Sequence, residues 1–169
     1  MDDEVIGASA GYGSSGRCEA VPDSFLSRDH TILENGKTAG SINFQLISLK
    51  DEATITAGGE GFHAWHEGVV FGDFLLASGD GEIRARASRP NFFRDRLEIH
   101  SGGADLVLKK RLLSFRNRFD ILMDGNIVGS ISRRGLFSRR LRLEMECPIS
   151  PEIRIFLIWL ALVLIAAED

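Results

Sequence analysis

The chain of 169 residues is 44% hydrophobic and 26% charged, which suits one compact domain with a sizeable core. Eighteen glycines against four prolines, together with eleven phenylalanines, favour many tight turns between buried strands over a helical bundle. Two cysteines, Cys18 and Cys147, are too few and too far apart for a disulfide framework or a zinc site with paired ligands.

The first sixteen residues, MDDEVIGASAGYGSSG, are acidic and rich in small side chains. A secretory signal would need positive charge followed by an apolar segment, so this stretch predicts a cytoplasmic protein. Its GYGSSG segment has no preceding strand and no following helix, which argues against a phosphate-binding loop. We therefore expect residues 1–16 to form a flexible tail and residues 17–169 to form a single domain.

A repeat with a step of 22 residues organises the rest of the chain. The stretches FFRDRLEIHSGG, SFRNRFDILMDG and LFSRRLRLEMEC superimpose without gaps, and the same step recurs upstream to give six units. Each unit predicts a strand, a glycine-containing turn and a second strand. The dipeptides Asn35-Gly36, Asp80-Gly81 and Asp124-Gly125 suit two-residue hairpin turns.

Alternation with period two assigns the two faces of these strands. One predicted buried column contains Leu75, Leu97, Phe119 and Leu141, and the next contains Ala77, Ile99, Ile121 and Leu143. The opposite, solvent-facing positions are Arg96, Glu98, Arg118, Asp120, Arg140 and Arg142. Five hairpins, a final half-unit and a first strand near residues 17–21 predict a closed antiparallel barrel of about twelve strands.

Roughly eight strands make a barrel that its own side chains can fill, so about twelve leave space for an apolar element. The thirteen consecutive apolar residues 155–167 supply one, within a predicted helix over residues 152–167. Such a helix is roughly 24 Å long at 1.5 Å per residue. A membrane anchor is the alternative, but a span needs about 20 apolar residues, so the central helix is favoured.

The segments LLSFRNRFDILMDGNIVGSISRR and FLIWLALVLIAAED together resemble the LURP-one-related proteins. They are more distantly similar to phospholipid scramblases and to the tubby C-terminal domain. This resemblance implies a twelve-stranded barrel around a hydrophobic C-terminal helix. The scramblase cysteine cluster and proline-rich leader are absent from the sequence, and the tubby phosphoinositide-binding positions cannot be aligned.

The net charge of −4 conceals an asymmetry: residues 1–83 carry 4 basic and 14 acidic side chains, whereas residues 84–142 carry 15 and 5. Most of the basic half falls in the links between repeat units, which should meet at one end of the barrel. The candidate anion-binding residues there are Arg89, Arg94, Lys109, Lys110, Arg111, Arg116, Arg133, Arg134, Arg139 and Arg140. The apolar residues between them are Phe92, Phe93, Leu112, Leu113, Leu136 and Phe137.

This pattern predicts docking on anionic phospholipid headgroups, placing the protein in the cytoplasm and at the membrane periphery. In a second interpretation the apolar link residues plug the barrel and the arginines are only solvated. A protein-interaction or scaffold domain without a small ligand is the alternative function. Binding of nucleic acid is less favoured, because acids such as Glu98 and Asp120 alternate with the basic residues.

The sequence offers little support for an enzyme, a metal or a cofactor. His63 and His66 are three positions apart, so on one strand they face opposite sides, although near a turn they could share a metal with Glu67. His30 and His100 are isolated on predicted strands, and no serine, cysteine or carboxylate has an evident catalytic partner. We therefore expect a non-enzymatic protein that holds no metal and needs no cofactor.

Overall fold

A computed structural model describes residues 16–45, 51–68, 72–90, 95–112, 117–135 and 138–168 of the chain. In these ranges twelve strands precede one α-helix. The strands are β1 (Arg17–Pro22), β2 (His30–Glu34), β3 (Lys37–Phe44), β4 (Ala53–Ala57), β5 (Glu60–His66), β6 (Phe74–Ser78), β7 (Ile83–Ser88), β8 (Arg96–Ser101), β9 (Ala104–Lys110), β10 (Arg118–Met123), β11 (Asn126–Arg133) and β12 (Leu141–Met145), and the helix is α1 (Pro151–Ala166).

The strands form one closed antiparallel barrel in which every strand pairs with its neighbours in the chain. Strand β1 closes the barrel by pairing with β12, and in this pairing Cys18 stands opposite Leu143. The barrel, its twelve strands and its mainly β character confirm the prediction from the repeat. Closure also removes the unpaired strand edges that would otherwise be available for association with other chains.

Two of the three predicted two-residue hairpin turns are confirmed, whereas Asp80-Gly81 lies in a longer turn of four residues between β6 and β7. Asn35 and Gly36 both have positive φ (51° and 76°), as do Asp124 and Gly125 (49° and 79°), which is the backbone of a type I′ turn. All five hairpin turns lie at one end of the barrel, which we call the turn end. The connections between hairpins lie at the opposite end, which we call the link end.

The face assignment is confirmed for most of the barrel and wrong for β6. Leu97, Phe119 and Leu141 are buried in the interior, as predicted. In β6, however, Phe74 and Leu76 line the interior, whereas Leu75 and Ala77 are buried outside the main core. Residues 74–77 are all apolar and all buried, so the sequence of β6 contains no alternation that marks its interior face, and the 22-residue step assigns the wrong one.

Helix α1 occupies the interior of the barrel. It begins at Pro151 and ends at Ala166, one residue from each predicted bound, and Ser150 is its N-cap residue. Twelve of its sixteen residues are buried, on all of its sides, and Trp159 packs against Phe156 and Phe74 at ring-centroid distances of 5.5 and 5.9 Å. This packing identifies the apolar C-terminal segment as the core of the domain. Among the described residues, no helix has the length and hydropathy needed to cross a membrane.

The helix contacts β3 and β4 more than the other strands. Small residues make this approach possible, because Ala53 and Ala57 face the interior from β4. In β3, a methyl group at Gly40 would lie 2.6 Å from Cδ1 of Ile155 and would overlap the carbonyl oxygen of Thr56. The helix runs from the turn end to the link end, so its last turn lies among the basic connections.

Candidate functional site at the link end of the barrel

The eight candidate basic residues that the structure describes all lie at the link end. They flank the ends of β7, β9, β11 and β12: Arg89, Lys109, Lys110, Arg111, Arg133, Arg134, Arg139 and Arg140. Arg94 and Arg116 lie outside the described residues, as do Phe92, Phe93, Leu113, Leu136 and Phe137. The negative end of the helix dipole also lies at this end, where neighbouring cations are stabilising.

Several of these basic side chains already have carboxylate partners. Arg111 donates to both oxygens of Asp120 at 3.0 Å, and Arg134 donates to Glu19 at 3.0 and 3.1 Å. Lys110 pairs with Glu168, just beyond the end of α1. The link end is therefore partly neutralised within the protein itself.

The remaining basic residues at the link end differ in how many contacts they make. Among the described residues, the side chains of Lys109 and Arg140 make no hydrogen bond and no ion pair, and both residues are exposed. Nη1 of Arg139 donates to the backbone oxygen of Phe25 at 3.0 Å, and Arg89 lies over the ring of Phe74 at 5.7 Å. Lys109 and Arg140 are consequently the residues best able to contact an external anion.

An apolar tip lies beside Arg139, in the connection between β1 and β2. Phe25 and Leu26 are 89% and 87% exposed, the largest values among the large hydrophobic residues described. Leu112, in the connection after β9, is 77% exposed and so does not plug the barrel. Phe25 and Leu26 were not predicted as site residues from the sequence, although their place before Arg28 matches the apolar pairs in the other links.

A small cavity opens between this tip and the end of the helix. It has a volume of about 90 Å³, with Phe44, Leu162 and Ile165 on its apolar side. Arg28, Arg133 and Arg139 also line it, and the Arg28 guanidinium lies 4.6 Å from the centroid of Phe44. The cavity shows that α1 does not fill the barrel completely at the link end.

His30 lines this cavity and is 98% buried. Its Nδ1 donates to the backbone oxygen of Arg28 at 2.7 Å, and no hydrogen bond of normal geometry is made by Nε2 to the described residues. Burial lowers the pKa of His30, because the charged ring would lose its hydration, although the backbone carbonyls of Arg28 and Arg139 oppose this shift. The ring is therefore held neutral, which sequence inspection could not show for a histidine in a strand.

The remaining histidines do not form a metal cluster within the described parts of the chain. His63 stacks on Trp65 and His66 stacks on Phe74, at centroid distances of 5.0 and 4.4 Å. No group of three or more histidine, cysteine, aspartate or glutamate side chains comes together among the described residues.

No family model matches the chain, and neither the curated proteins nor the solved structures contain a significant match. Function must therefore be inferred from the geometry of the chain.

Proposed function

We propose that the link end of the barrel docks on membrane surfaces that contain anionic phospholipid. The observation that carries this proposal is the exposed pair Phe25 and Leu26 on a connection that Arg139 holds through the Phe25 carbonyl. An exposed phenylalanine beside a leucine is unfavourable in water but well suited to the boundary between headgroups and acyl chains. The tip would enter that boundary while the neighbouring cations face the phosphates.

The magnitudes suit a weak and reversible contact. A basic residue near an anionic surface contributes about 1 kcal/mol, and full burial of a phenylalanine or leucine side chain contributes about 1.5–3 kcal/mol. Partial insertion of the tip, together with Lys109 and Arg140, then amounts to about 5 kcal/mol, which corresponds to a sub-millimolar dissociation constant. About 2 kcal/mol of this energy is electrostatic, so the contact should weaken as salt shortens the screening length.

Vesicle co-sedimentation tests the proposal directly. The protein is mixed with vesicles of phosphatidylcholine alone or of phosphatidylcholine with phosphatidylserine, at low and at high salt. We expect recovery with the anionic vesicles at low salt and its loss at high salt. Equal recovery with both kinds of vesicle would refute anionic recognition.

Charge-reversal variants locate the docking surface. Lys109→Glu with Arg140→Glu should weaken vesicle binding at least tenfold, because two attractive charges become repulsive. Neither side chain forms an ion pair with another described residue. The matched control is Lys37→Glu, since Lys37 is also exposed and unpaired among the described residues but opens β3 at the turn end. An equal loss for Lys37→Glu would show that net charge alone drives association.

The apolar tip is tested in the same way. Phe25→Ser with Leu26→Ser should reduce binding and leave the fold intact, because neither side chain packs in the core. Ile83→Ser is the matched control, since Ile83 is 46% exposed at the turn end. If the tip variant binds vesicles as the wild type does, the tip does not insert.

A further inference from the structure

A second surface, separate from the apolar tip, lies on the outside of the barrel across β9, β10 and β11. It is a groove of about 360 Å³. At its centre Leu122 stands in register with Val107 on one side and Ile127 on the other. Ile127 is 56% exposed and Leu112, at the link end of the groove, is 77% exposed. An apolar groove on the wet face of a barrel is unusual unless something covers it.

One end of this groove is positively charged. Lys109 faces outward there without an ion pair to any described residue, so it is available either to this groove or to the proposed membrane-docking surface. Beside it, Asp120 is shared by Arg111 at 3.0 Å and Arg118 at 3.8 Å. Three cations therefore surround one carboxylate, and the cluster keeps a net positive charge. Apolar side chains followed by this charge suit a segment that carries apolar residues next to acids.

We propose that the groove binds the N-terminal segment of the same chain. That segment contains Asp2, Asp3 and Glu4 followed by Val5 and Ile6. The acidic residues lie against the basic end of the groove, and the two aliphatic residues cover its apolar part. Residues 1–15 lie outside the described structure, so their sequence and the point from which they depart carry the assignment.

The departure point is close enough for this contact. Gly16 lies at the turn end, where its carbonyl accepts from the backbone N–H of Met145, which in turn stands opposite Gly129 of β11. Two strand spacings, roughly 10 Å, therefore separate Gly16 from the strand that carries Ile127. Lys109 lies two strands further around the barrel and about one strand length along the barrel axis. These offsets place it roughly 30 Å from Gly16.

The chain between these points is long enough and suitably composed. Eleven residues from Val5 to Ser15 can span up to about 36 Å when extended. Glycine, serine and alanine dominate residues 7–16, a composition typical of a linker. The order along the chain also matches the order along the groove, since the acids are furthest from Gly16 and the basic cluster is the furthest part of the groove.

Zero-length carbodiimide cross-linking of the full chain tests this proposal, because it joins only carboxylates and amines in direct contact. We expect mass spectrometry to find Asp2, Asp3 or Glu4 joined to Lys109. The internal control is Lys37, which is exposed and lies two strands from β1 in the opposite direction. Cross-links to Lys37 that equal or exceed those to Lys109 would overturn the proposal. Mixing isotopically labelled and unlabelled chains identifies links within one molecule, and links found only between molecules would also overturn it.

Methyl NMR provides an independent measurement that does not need a lysine. Replacing Val5 and Ile6 by serine should shift the methyl signals of Ile127 and Leu122 and leave those of Ile83 unchanged. The neutralising substitutions Asp2→Asn, Asp3→Asn and Glu4→Gln should shift the methyl signals of Leu112 and Leu122. High salt should produce the same shifts in the wild type. These changes alter only the tail, so they leave the barrel folded. Unchanged groove signals in both variants would refute the contact.

Discussion

Arg154, in the first turn of the central helix, donates from Nη1 to Oε1 of Glu34 at 2.8 Å. Glu34 is the last residue of β2, so this bond joins the start of the helix to the wall of the barrel at the turn end. Arg154 is 95% buried, and its guanidinium also lies 3.8 Å from Sγ of Cys18. A cation near a helix N-terminus is unfavourable, and Glu34 provides the charge that compensates for it.

Removing Glu34 should therefore destabilise the protein. Glu34→Ala leaves the buried Arg154 without its counterion, and we expect the free energy of unfolding to fall by roughly 2 kcal/mol, less than for a fully buried pair because water still reaches the carboxylate. The double variant Arg154→Met with Glu34→Gln should recover most of this loss, because neither charge then remains. Urea unfolding measures all three proteins.

The exposed pair of Arg17 and Glu144 is the matched control for this experiment. Its partners are 3.0 Å apart, but their side chains are 61% and 48% exposed. Glu144→Ala should consequently change the free energy of unfolding by less than about 1 kcal/mol. A loss as large as that of Glu34→Ala would mean that the buried pair has no special role.

Gly40 is expected to be intolerant of any side chain. In Gly40→Ala the new methyl group would meet Ile155 of the helix and the backbone oxygen of Thr56, so the helix or β4 must move. We expect a loss of about 1–3 kcal/mol in the free energy of unfolding, the usual cost of overpacking a core. Gly61→Ala is the control, because a Cβ at Gly61 meets open space, and a similar loss there would indicate that strand glycines matter for another reason.

The barrel and its helix could be predicted from the sequence because both follow from local patterns that repeat. The 22-residue step specified the hairpins, and the uniformly apolar segment was too short for a membrane span, which favoured an enclosed position over an anchor. The face of Leu75 could not be predicted, because residues 74–77 are all apolar and show no alternation that would distinguish the interior face from the outer one. A period-two pattern shows which residues alternate, but it does not show which of the two sets faces the interior.

The link end was predicted only in part. The ten basic residues could be grouped because the links of an antiparallel barrel must meet at one end. Which of them are paired depends on long-range contacts, such as Arg134 with Glu19, that no spacing in the sequence encodes. The same reason hid Arg154, whose partner Glu34 lies 120 residues away in the chain.

The two thiols should differ strongly in reactivity. Cys18 is buried, and burial raises the pKa of its thiol, the nearby Arg154 charge opposing this effect only in part. Cys147 is half-buried near the start of the helix. A disulfide reagent should therefore modify Cys147 in the native protein and Cys18 only after unfolding. The variants Cys18→Ser and Cys147→Ser show which thiol reacts before unfolding and which reacts after it. Rapid modification of the native Cys147→Ser protein would contradict the burial of Cys18.

The buried His30 should make stability depend on pH. Its pKa is lowered in the folded state from an ordinary value of 6.5, chiefly by burial and also by the charge of Arg139. The unfolded chain therefore binds a proton more readily than the folded protein between pH 6.5 and the lower folded pKa. The contribution of His30 to stability is fully present above pH 6.5 and is lost as the pH falls through the folded pKa.

Urea unfolding at pH 7.5 and pH 5.5 measures this effect in the wild type and in His30→Gln. The free energy of unfolding should decrease more between the two pH values in the wild type, and the difference cannot exceed about 1.4 kcal/mol per pH unit for one proton. Comparing the two proteins isolates the contribution of His30, because every other titratable group is present in both. Equal pH dependence would show that His30 takes up its proton as easily in the folded protein as in the unfolded chain, and that its burial does not hold the ring neutral.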